Sequence, residues 1–310
     1  MKTIYFIGEC MVELRENDED MISRSYAGDV YNSAVYLKRC FTDTQTAVVT
    51  AIGEDSLSTK MLSRFKDEGL DTTFVFRHPD KNAGMYYIET DDTGERSFTY
   101  WRSDSAAKKV VRFLNDDVIR GLAGANMFFI SGISLAVIDA QDRGAFWLKM
   151  KALKEAGVTI VFDPNYRARL WQSEDEAAAE FKQAFSLCDI ALPGVEDLTV
   201  LFGVNTAEEA LAFCHQYDIA EVIVKNGPES VITSLEGQQQ NHPIVPVTNV
   251  VDTTSAGDAF NGVYLGARLN GRAIDEAVQL AAKAAGTVIQ HPGAIAPKDA
   301  FTQAMAACGL

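Results

Sequence analysis

Residues 250–266 (VVDTTSAGDAFNGVYLG) carry the residue types and spacing best suited to chemistry. Two valines lead toward the small residues Ser255, Ala256 and Gly257, after which apolar residues recur at helical spacing. Free N–H groups at the start of a helix point outward, and the helix dipole favours negative charge there. Small side chains let a ligand approach this backbone closely. We call residues 255–258 the anion turn, in which Asp258 places a carboxylate beside a bound anion.

The residues alone allow two interpretations of this turn. In the simpler one, Asp258 only caps the helix, and Gly257, Gly262 and Gly266 only permit close helix packing. In the other, Asp258 acts on a substrate beside the anion site. The combination D-T-x-x-A-G-D over residues 252–258 is much more specific than a helix start alone.

This combination resembles the C-terminal signature of the ribokinase-like (PfkB-type) carbohydrate kinases, and the resemblance covers essentially the whole chain. It implies that Asp258 is the general base that deprotonates the acceptor hydroxyl. It also implies that the backbone amides of Ser255, Ala256 and Gly257 form an anion hole for the transferring phosphoryl group. One position departs from the family pattern, because Ser255 stands where glycine is usual and lacks the backbone freedom of glycine.

A second group of residues, at the predicted start of the first helix, resembles the sugar-binding segment of the family. Gly28 is preceded by Ala27, where the family has a further glycine. Asp29 and Asn32 are three residues apart, so both can point to one side of the helix start and bind hydroxyl groups. From the residues alone, an aspartate cap followed by a solvated asparagine explains the pattern equally well.

Other phosphate-binding loops are excluded, since the chain has neither G-x-x-x-x-G-K-[ST] nor G-x-G-x-x-G after its first strand. The resemblance implies ATP and Mg²⁺ as cofactors, with Glu196 reaching the metal through a water. Pro193 replaces the asparagine that precedes this glutamate in the family pattern. Read without the family, residues 225–227 are a strand followed by a tight turn. The residues that the resemblance assigns to the nucleotide are Asn165, Lys225, Gly227 and Gly257.

Two arginines favour an acidic substrate, because the planar guanidinium fork matches a carboxylate. Arg102 ends the run Tyr100-Trp101-Arg102, and Arg167 ends a D-x-N-x-R segment. These features resemble the 2-keto-3-deoxygluconate kinases of the family, which use ATP to convert a six-carbon keto acid into 2-keto-3-deoxy-6-phosphogluconate at its terminal hydroxyl. That resemblance assigns the following residues to the substrate: Gly28, Tyr87, Tyr100, Arg102, Arg167 and Asp258.

Several other functions stay open on these residues. A fructokinase or other neutral-sugar kinase of the same family also fits, because runs like RARLW at residues 167–171 occur there too. A catalytically silent sugar- or nucleotide-binding regulator would keep the same fold, although the anion turn with its aspartate is intact. A nucleoside kinase would leave Arg102 without an obvious role. Surface ion pairs would explain both arginines without any substrate.

These residues need a scaffold to bring them together. The chain alternates short apolar runs with amphipathic segments, for example a predicted strand at residues 127–131 and a predicted helix at 174–187. Glycines stand at several strand ends. This alternation predicts an α/β fold, and the resemblance implies a ribokinase-like one with a central, mostly parallel sheet flanked by helices.

Residues 85–101 break this alternation. Two short aromatic strands flank the sequence Asp91-Asp92-Thr93-Gly94, which predicts an antiparallel hairpin. We expect one domain over residues 1–310, with a small antiparallel β lid formed by about residues 10–27 and 73–105. The resemblance also implies a homo-oligomer that pairs through the lid, and an open-edged, aromatic hairpin fits this expectation.

The composition disfavours several classes of partner and site. The 310 residues contain 28 Lys and Arg against 43 Asp and Glu, and this net charge of −15 disfavours nucleic acids and anionic membranes as partners. Five cysteines without C-x-x-C spacing and four scattered histidines favour a reducing compartment and disfavour a zinc site. With no recognisable signal peptide or long apolar run, we expect a cytoplasmic protein. Some relatives bind a monovalent cation at the position of Asp252 and Thr254.

Overall fold

A nine-stranded sheet forms the body of the molecule in a computed structural model of the chain. The structure describes residues 1–18, 21–90 and 96–310. In spatial order, the strands are β13 (Gln238–Pro243), β12 (Ser230–Leu235), β11 (Glu221–Asn226), β10 (Ile190–Ala191), β9 (Thr159–Asp163), β8 (Met127–Ser131), β1 (Thr3–Ile7), β4 (Gln45–Gly53) and β5 (Val75–His78). Neighbouring strands from β11 to β5 run parallel, whereas β12 and β13 add an antiparallel edge. The predicted mostly parallel sheet is therefore confirmed.

Helices cover both faces of this sheet. In chain order they are α1 (Asp29–Cys40), α2 (Ser56–Asp67), α3 (Asp116–Leu122), α4 (Gly132–Val137), α5 (Ala140–Glu155), α6 (Glu174–Leu187), α7 (Val195–Phe202), α8 (Ala207–Cys214), α9 (Ala256–Leu269), α10 (Ile274–Val288) and α11 (Lys298–Ala306), with 3₁₀ helices at Ala106–Phe113 and Ala168–Leu170. Within the described part of the chain, no helix is long and apolar enough to cross a membrane.

The strands of the main sheet are apolar runs because both of their faces are buried. Phe128 and Phe129 are neighbours on β8, and they enter two separate core clusters because successive side chains point to opposite faces. Phe146 of α5 joins the cluster of Phe128, and Tyr264 of α9 joins that of Phe129. Burial on both sides explains why these strands show continuous apolar sequence instead of alternation.

A second sheet has four strands, in the order β3 (Met21–Ala27), β2 (Met11–Asp18), β6 (Met85–Thr90) and β7 (Arg96–Trp101). Its two outer pairs are antiparallel, and the central pair, β2 with β6, is parallel. The predicted hairpin strands pair as expected, with Tyr86 opposite Tyr100. The predicted turn between them, at residues 91–94, lies outside the described residues.

The structure corrects the expected bounds of the lid. Residues 73–105 include β5, which pairs with β4 of the main sheet and not with the second sheet. The residues around β5 are anchored in the body, because Phe74 packs edge-on against Tyr5 and Phe76 stacks on Phe113. The chain therefore crosses between the two sheets at residues 8–10, 28, 79–84 and 102–105.

Candidate active site

The anion turn lies at the start of α9. Ser255 is the N-cap residue and adopts a left-handed conformation with φ 66°. The N–H groups of the first helical turn have no acceptor within the helix, although that of Ala256 donates to the carbonyl oxygen of Thr253 over 3.3 Å. A Cβ atom on Gly257 would meet no atom within 4 Å, so open space adjoins the turn. Helix packing therefore does not explain Gly257, and the turn has room for an anion.

Close packing does explain Gly262 and Gly266, which lie where α9 crosses α1. A Cβ on Gly262 would lie 2.1 Å from the carbonyl oxygen of Ser33 in α1. The two helices can approach this closely only because that Cβ is missing. The crossing brings Asn32 to Asp258, and Asn32 Nδ2 donates a hydrogen bond to Asp258 Oδ2 over 2.8 Å.

Asp258 has the electrostatics of a base that works near neutral pH. Burial, followed by the nearby carboxylates of Asp29 and Asp163, raises the pKa of Asp258 to about 7, although the hydrogen bond from Asn32 acts in the opposite direction. A carboxylate with such a pKa can accept a proton from a bound hydroxyl. The anion turn can in turn stabilise negative charge on a transferring group.

Asp29 is the first residue of α1 and is buried. Burial raises the pKa of Asp29, and a hydrogen bond from Ser131 opposes this rise. Asn165 Nδ2 donates to Asp29 Oδ2 over 3.3 Å, and Asn165 itself has φ 33°, a region that asparagine tolerates better than most residues. Asn165, expected at the nucleotide, thus contacts a residue expected at the sugar. The structure brings Gly28, Asp29, Asn32, Asn165 and Asp258 into one site.

Lys225, in β11, borders this site through Asp163 and Asn261. Its Nζ lies 3.1 Å from Asp163 Oδ1 and 3.2 Å from Asn261 Oδ1, and Asn261 Nδ2 donates to Asp163 Oδ2 over 2.8 Å. The ammonium group therefore balances a buried carboxylate next to Asp258. Gly227 follows β11 with φ 53°, as a tight turn requires. Sequence reasoning missed Asn261, although it follows Asp258 by three residues, at helical spacing.

Two neighbouring carboxylates at the start of α7 behave differently. Glu196, expected at the metal, is exposed. Asp197, which sequence reasoning missed, is buried and accepts hydrogen bonds from the backbone N–H groups of Gly194 (3.1 Å) and Tyr166 (2.9 Å). Burial and then the charge of Asp163 raise the pKa of Asp197 to about 6. Asp197 thus ties the segment after β9 to the start of α7.

The second sheet divides its tyrosines between two faces. Tyr86 and Tyr100 stack on one face, with ring centroids 5.6 Å apart, and Tyr86 donates a hydrogen bond to Glu13. Tyr87 points to the opposite face, so the structure does not bring it together with Tyr100. Arg169, which sequence reasoning missed within the RARLW run, lies 4.2 Å above the Tyr100 ring and donates to its hydroxyl.

The two arginines expected at a carboxylate occupy different environments. Arg102 Nη2 lies 2.5 Å from Glu9 Oε2, and the two side chains are 13% and 1% exposed. Arg167 is exposed, and its Nη1 donates to the carbonyl oxygen of Tyr166 over 2.8 Å. Of the two arginines, Arg102 is therefore the one that is partly buried and paired with a carboxylate.

The chain is similar to known carbohydrate kinases in sequence and in fold. Residues 1–300 match the family described as pfkB family carbohydrate kinase. The chain is 38% identical to a 2-dehydro-3-deoxygluconokinase of Dickeya dadantii, over 97% of this chain and 98% of that protein. It is 28% identical to a fructokinase of Vibrio alginolyticus, over 86% and 83% of the two chains. The crystal structure of 2-dehydro-3-deoxygluconokinase from Thermotoga maritima has the same fold, with a TM-score of 0.85, 22% identity and 98% coverage of both chains.

Proposed function

Since the chain belongs to the pfkB family of carbohydrate kinases, we propose that it transfers the terminal phosphoryl group of ATP to 2-keto-3-deoxygluconate, also called 2-dehydro-3-deoxygluconate. The product would be 2-keto-3-deoxy-6-phosphogluconate. The observation that carries the kinase chemistry is the contact of Asp258 with Asn32 beside the open anion turn. The choice of substrate is supported by 38% identity to a named 2-dehydro-3-deoxygluconokinase against 28% to a fructokinase.

The residues of the site divide the reaction between them. Asp258 takes the proton of the terminal hydroxyl, because a pKa of about 7 leaves much of it ionised at neutral pH. Asn32 orients that carboxylate through its hydrogen bond. The N–H groups of the anion turn stabilise the charge on the transferring phosphoryl group. In phosphoryl transfer, positioning and electrostatic stabilisation account for most of the catalysis.

ATP with bound Mg²⁺ supplies the phosphoryl group, and the residues fit this pair. The space beside Gly257 accommodates a phosphate, and the first turn of α9 offers N–H donors to it. Glu196 is an exposed carboxylate that suits a water-mediated contact with Mg²⁺. Among the residues that the structure describes, no group of three or more His, Cys, Asp or Glu could hold a metal. Phosphate oxygens and waters would therefore supply most ligands of the ion.

The substrate is bound from two sides in this proposal. Gly28, Asp29 and Asn32 at the start of α1 bind its hydroxyl groups. Arg102, with Tyr100 near it in sequence, binds its carboxylate from the second sheet. Tyr87 and Arg167 stay predictions as substrate ligands, because one lies on the opposite face of that sheet and the other is exposed.

Substrate profiling tests the proposal. We expect ATP-dependent turnover of 2-keto-3-deoxygluconate with a higher kcat/KM than that of fructose, measured as ADP release in a coupled assay. Gluconate and ribose serve as an acidic and a neutral control. A higher kcat/KM for fructose would favour the neutral-sugar kinase, and absence of turnover with every sugar would favour a silent binding protein.

We also propose that the chain forms a homo-oligomer through the second sheet. Met21 and Ile22 on its edge strand β3 are both 58% exposed, and Trp101 on β7 is 53% exposed. Edge strands with exposed apolar side chains are suited to pairing with another chain. Sedimentation of the wild type and of Ile22→Lys tests this, with a shift of the variant toward monomer expected.

A monovalent cation beside Asp252 and a cytoplasmic location both stay predictions. Asp252 accepts hydrogen bonds from the N–H groups of Thr254 and Gly293, both over 2.9 Å, and lies 3.9 Å from Arg15 Nη2. A cation there would therefore share the carboxylate with a guanidinium group. Activity in potassium salt compared with a bulky organic cation at equal ionic strength tests whether the enzyme depends on it.

A further inference from the structure

The crossings between the two sheets converge on Glu9, which itself lies in the first of them. A Cβ on Gly28, in the second crossing, would lie 2.2 Å from the Glu9 carbonyl oxygen. A Cβ on Gly84, in the third, would lie 2.5 Å from Glu9 Oε1. Arg102, in the fourth, forms the ion pair with Glu9 Oε2. Glu9 is therefore buried among the segments that cross between the two sheets.

The Glu9–Arg102 pair is close but poorly aligned. Across residues 1–18, 21–90 and 96–310, neither Glu9 carboxylate oxygen nor Arg102 Nη2 makes a well-directed hydrogen bond. A buried carboxylate without its cation is strongly destabilising, so Glu9 constrains where the guanidinium can be. A guanidinium carries five N–H donors, and the contact to Glu9 involves one terminal nitrogen. The other donors remain for a second carboxylate.

We propose that Glu9 is a positioning residue that sets the preference of the enzyme for an acidic substrate. It holds the Arg102 guanidinium at the junction of the two sheets, so that the substrate carboxylate meets a donor already in place. Because the side chain is ordered before binding, less entropy is lost when the carboxylate binds. A neutral sugar gains nothing from this arrangement. The inference rests on the proposed function, since it assumes that Arg102 binds the carboxylate of 2-keto-3-deoxygluconate.

A cycle of variants tests the inference on the full-length enzyme. Glu9→Gln should raise KM for 2-keto-3-deoxygluconate by roughly 5- to 50-fold, which lies within the range of coupling between residues in contact. It should leave kcat within about twofold, because Asp258 is unaffected, and should leave KM for fructose within about twofold. Glu9→Asp, which keeps the charge, should recover part of the loss. Glu89→Gln removes an exposed carboxylate from β6 and should have no effect on either substrate.

The double variant shows whether Glu9 acts through Arg102. Arg102→Gln alone should raise KM for the keto acid, and adding Glu9→Gln should raise it by less than about twofold more. A full additional loss in the double variant would overturn the inference, because Glu9 would then act on the substrate independently. Equal losses of the Glu9→Gln variant on fructose would also overturn it. Arg102→Gln leaves the buried Glu9 carboxylate without its cation. Where that variant is unstable, the double variant, which keeps a neutral amide pair, is compared with Glu9→Gln instead.

The substrate preference of the wild-type enzyme distinguishes failure of this inference from failure of the proposed function. Wild-type enzyme that phosphorylates the keto acid, with Glu9→Gln kinetically identical to it, would overturn the role of Glu9 alone. Wild-type enzyme that phosphorylates fructose and not the keto acid would overturn the proposed function and, with it, the acid preference.

Discussion

Asp258, at the anion turn, is positioned by one helix start and one crossing helix, whereas Arg102, just after the last strand of the second sheet, is positioned by segments that cross between the two sheets. Asp258 is held by Asn32 of α1, and its pKa is raised first by burial and then by the carboxylates near it. Arg102 is held by Glu9, where the chain passes between the sheets. Changes at the first region should therefore act on kcat for every substrate. Changes at the second should act on KM for acids.

Replacement of the base should give the largest effect. Asp258→Asn keeps the size of the side chain and removes its ability to accept a proton, so we expect kcat to fall by ~10²–10⁴-fold. KM for sugar and ATP should change far less, as steady-state kinetics would show. A variant with near-normal kcat would contradict the assignment of Asp258 as the base.

Unfolding of the same variant provides its control. A pKa raised to about 7 means that the folded state disfavours the ionised form of Asp258. The protonated Asp258 side chain therefore contributes to the free energy of unfolding. This contribution is complete below the pKa of Asp258 in the unfolded chain, near 4, and is lost as pH rises through about 7. Asp258→Asn should therefore have a higher Tm than the wild type at pH 8, with a smaller difference at pH 4.5. A lower Tm at pH 8 would indicate a damaged fold instead of a missing base.

The second region should respond selectively. A charge-assisted hydrogen bond contributes ~1.5–3 kcal/mol, so Arg102→Gln should weaken binding of the keto acid by roughly 10–150-fold. The kcat for fructose should stay close to the wild-type value. Arg102→Lys should recover only part, because an ammonium keeps the charge and loses the fork. Inhibition by a non-reactive keto acid measures the affinity directly. Equal losses on acidic and neutral substrates would make Arg102 purely structural and would remove the contrast between the regions.

The pH profile sharpens the contrast further. Because the pKa of Asp258 is raised to about 7, kcat/KM should rise about tenfold per pH unit below that value and become constant above it. Arg102→Gln should keep this profile at a lower level, since it leaves the base intact. A wild-type profile that is flat between pH 5.5 and 8 would contradict the raised pKa.

The anion turn was predictable because its signal is local. The turn, its carboxylate and the helix after it lie within residues 250–266, and each follows from neighbouring residues. The same holds for β8 and α6, whose apolar patterns predict their observed bounds, with Ser173 capping α6 through a hydrogen bond from the N–H of Glu176. Local patterns specify such elements without knowledge of their partners.

The recognition side was only partly predictable because its contacts are distant in sequence. Asn261 donates a hydrogen bond to Asp163, which is 98 residues away in sequence. Glu9 and Arg102 form an ion pair although they lie in two different segments that connect strands. β13 was missed because its sequence is polar, and it forms as an edge strand paired with β12. β5 was assigned to the lid because nothing within its four residues indicates which sheet it joins. Pairing between distant segments decides such cases.

Closure of the second sheet is a smaller effect that links the two regions. We expect amide hydrogen exchange in Met85–Thr90 and Arg96–Trp101 to slow by several-fold when keto acid and a non-hydrolysable nucleotide are added, because a closed lid is opened less often. β8 in the main sheet provides the reference, since it is buried with and without ligand. Unchanged exchange in the second sheet would mean that it does not close over the substrate.

Replacement of Ser255 by glycine should give the smallest effect. It tests the backbone conformation of the anion turn separately from its role in catalysis. Its φ of 66° lies in the left-handed region, which costs a residue with a Cβ roughly 1–2 kcal/mol. Ser255→Gly removes that strain but gives the unfolded chain more freedom, so we expect a gain of about 1 kcal/mol at most in the free energy of unfolding, measured with urea. Asn165→Gly should instead lose stability, because φ 33° is easier for asparagine and the variant also removes the hydrogen bond to buried Asp29. A loss of stability in Ser255→Gly would mean that the serine side chain stabilises the turn by more than its backbone costs, and the position would then belong with Asn32 as a residue that holds Asp258 in place.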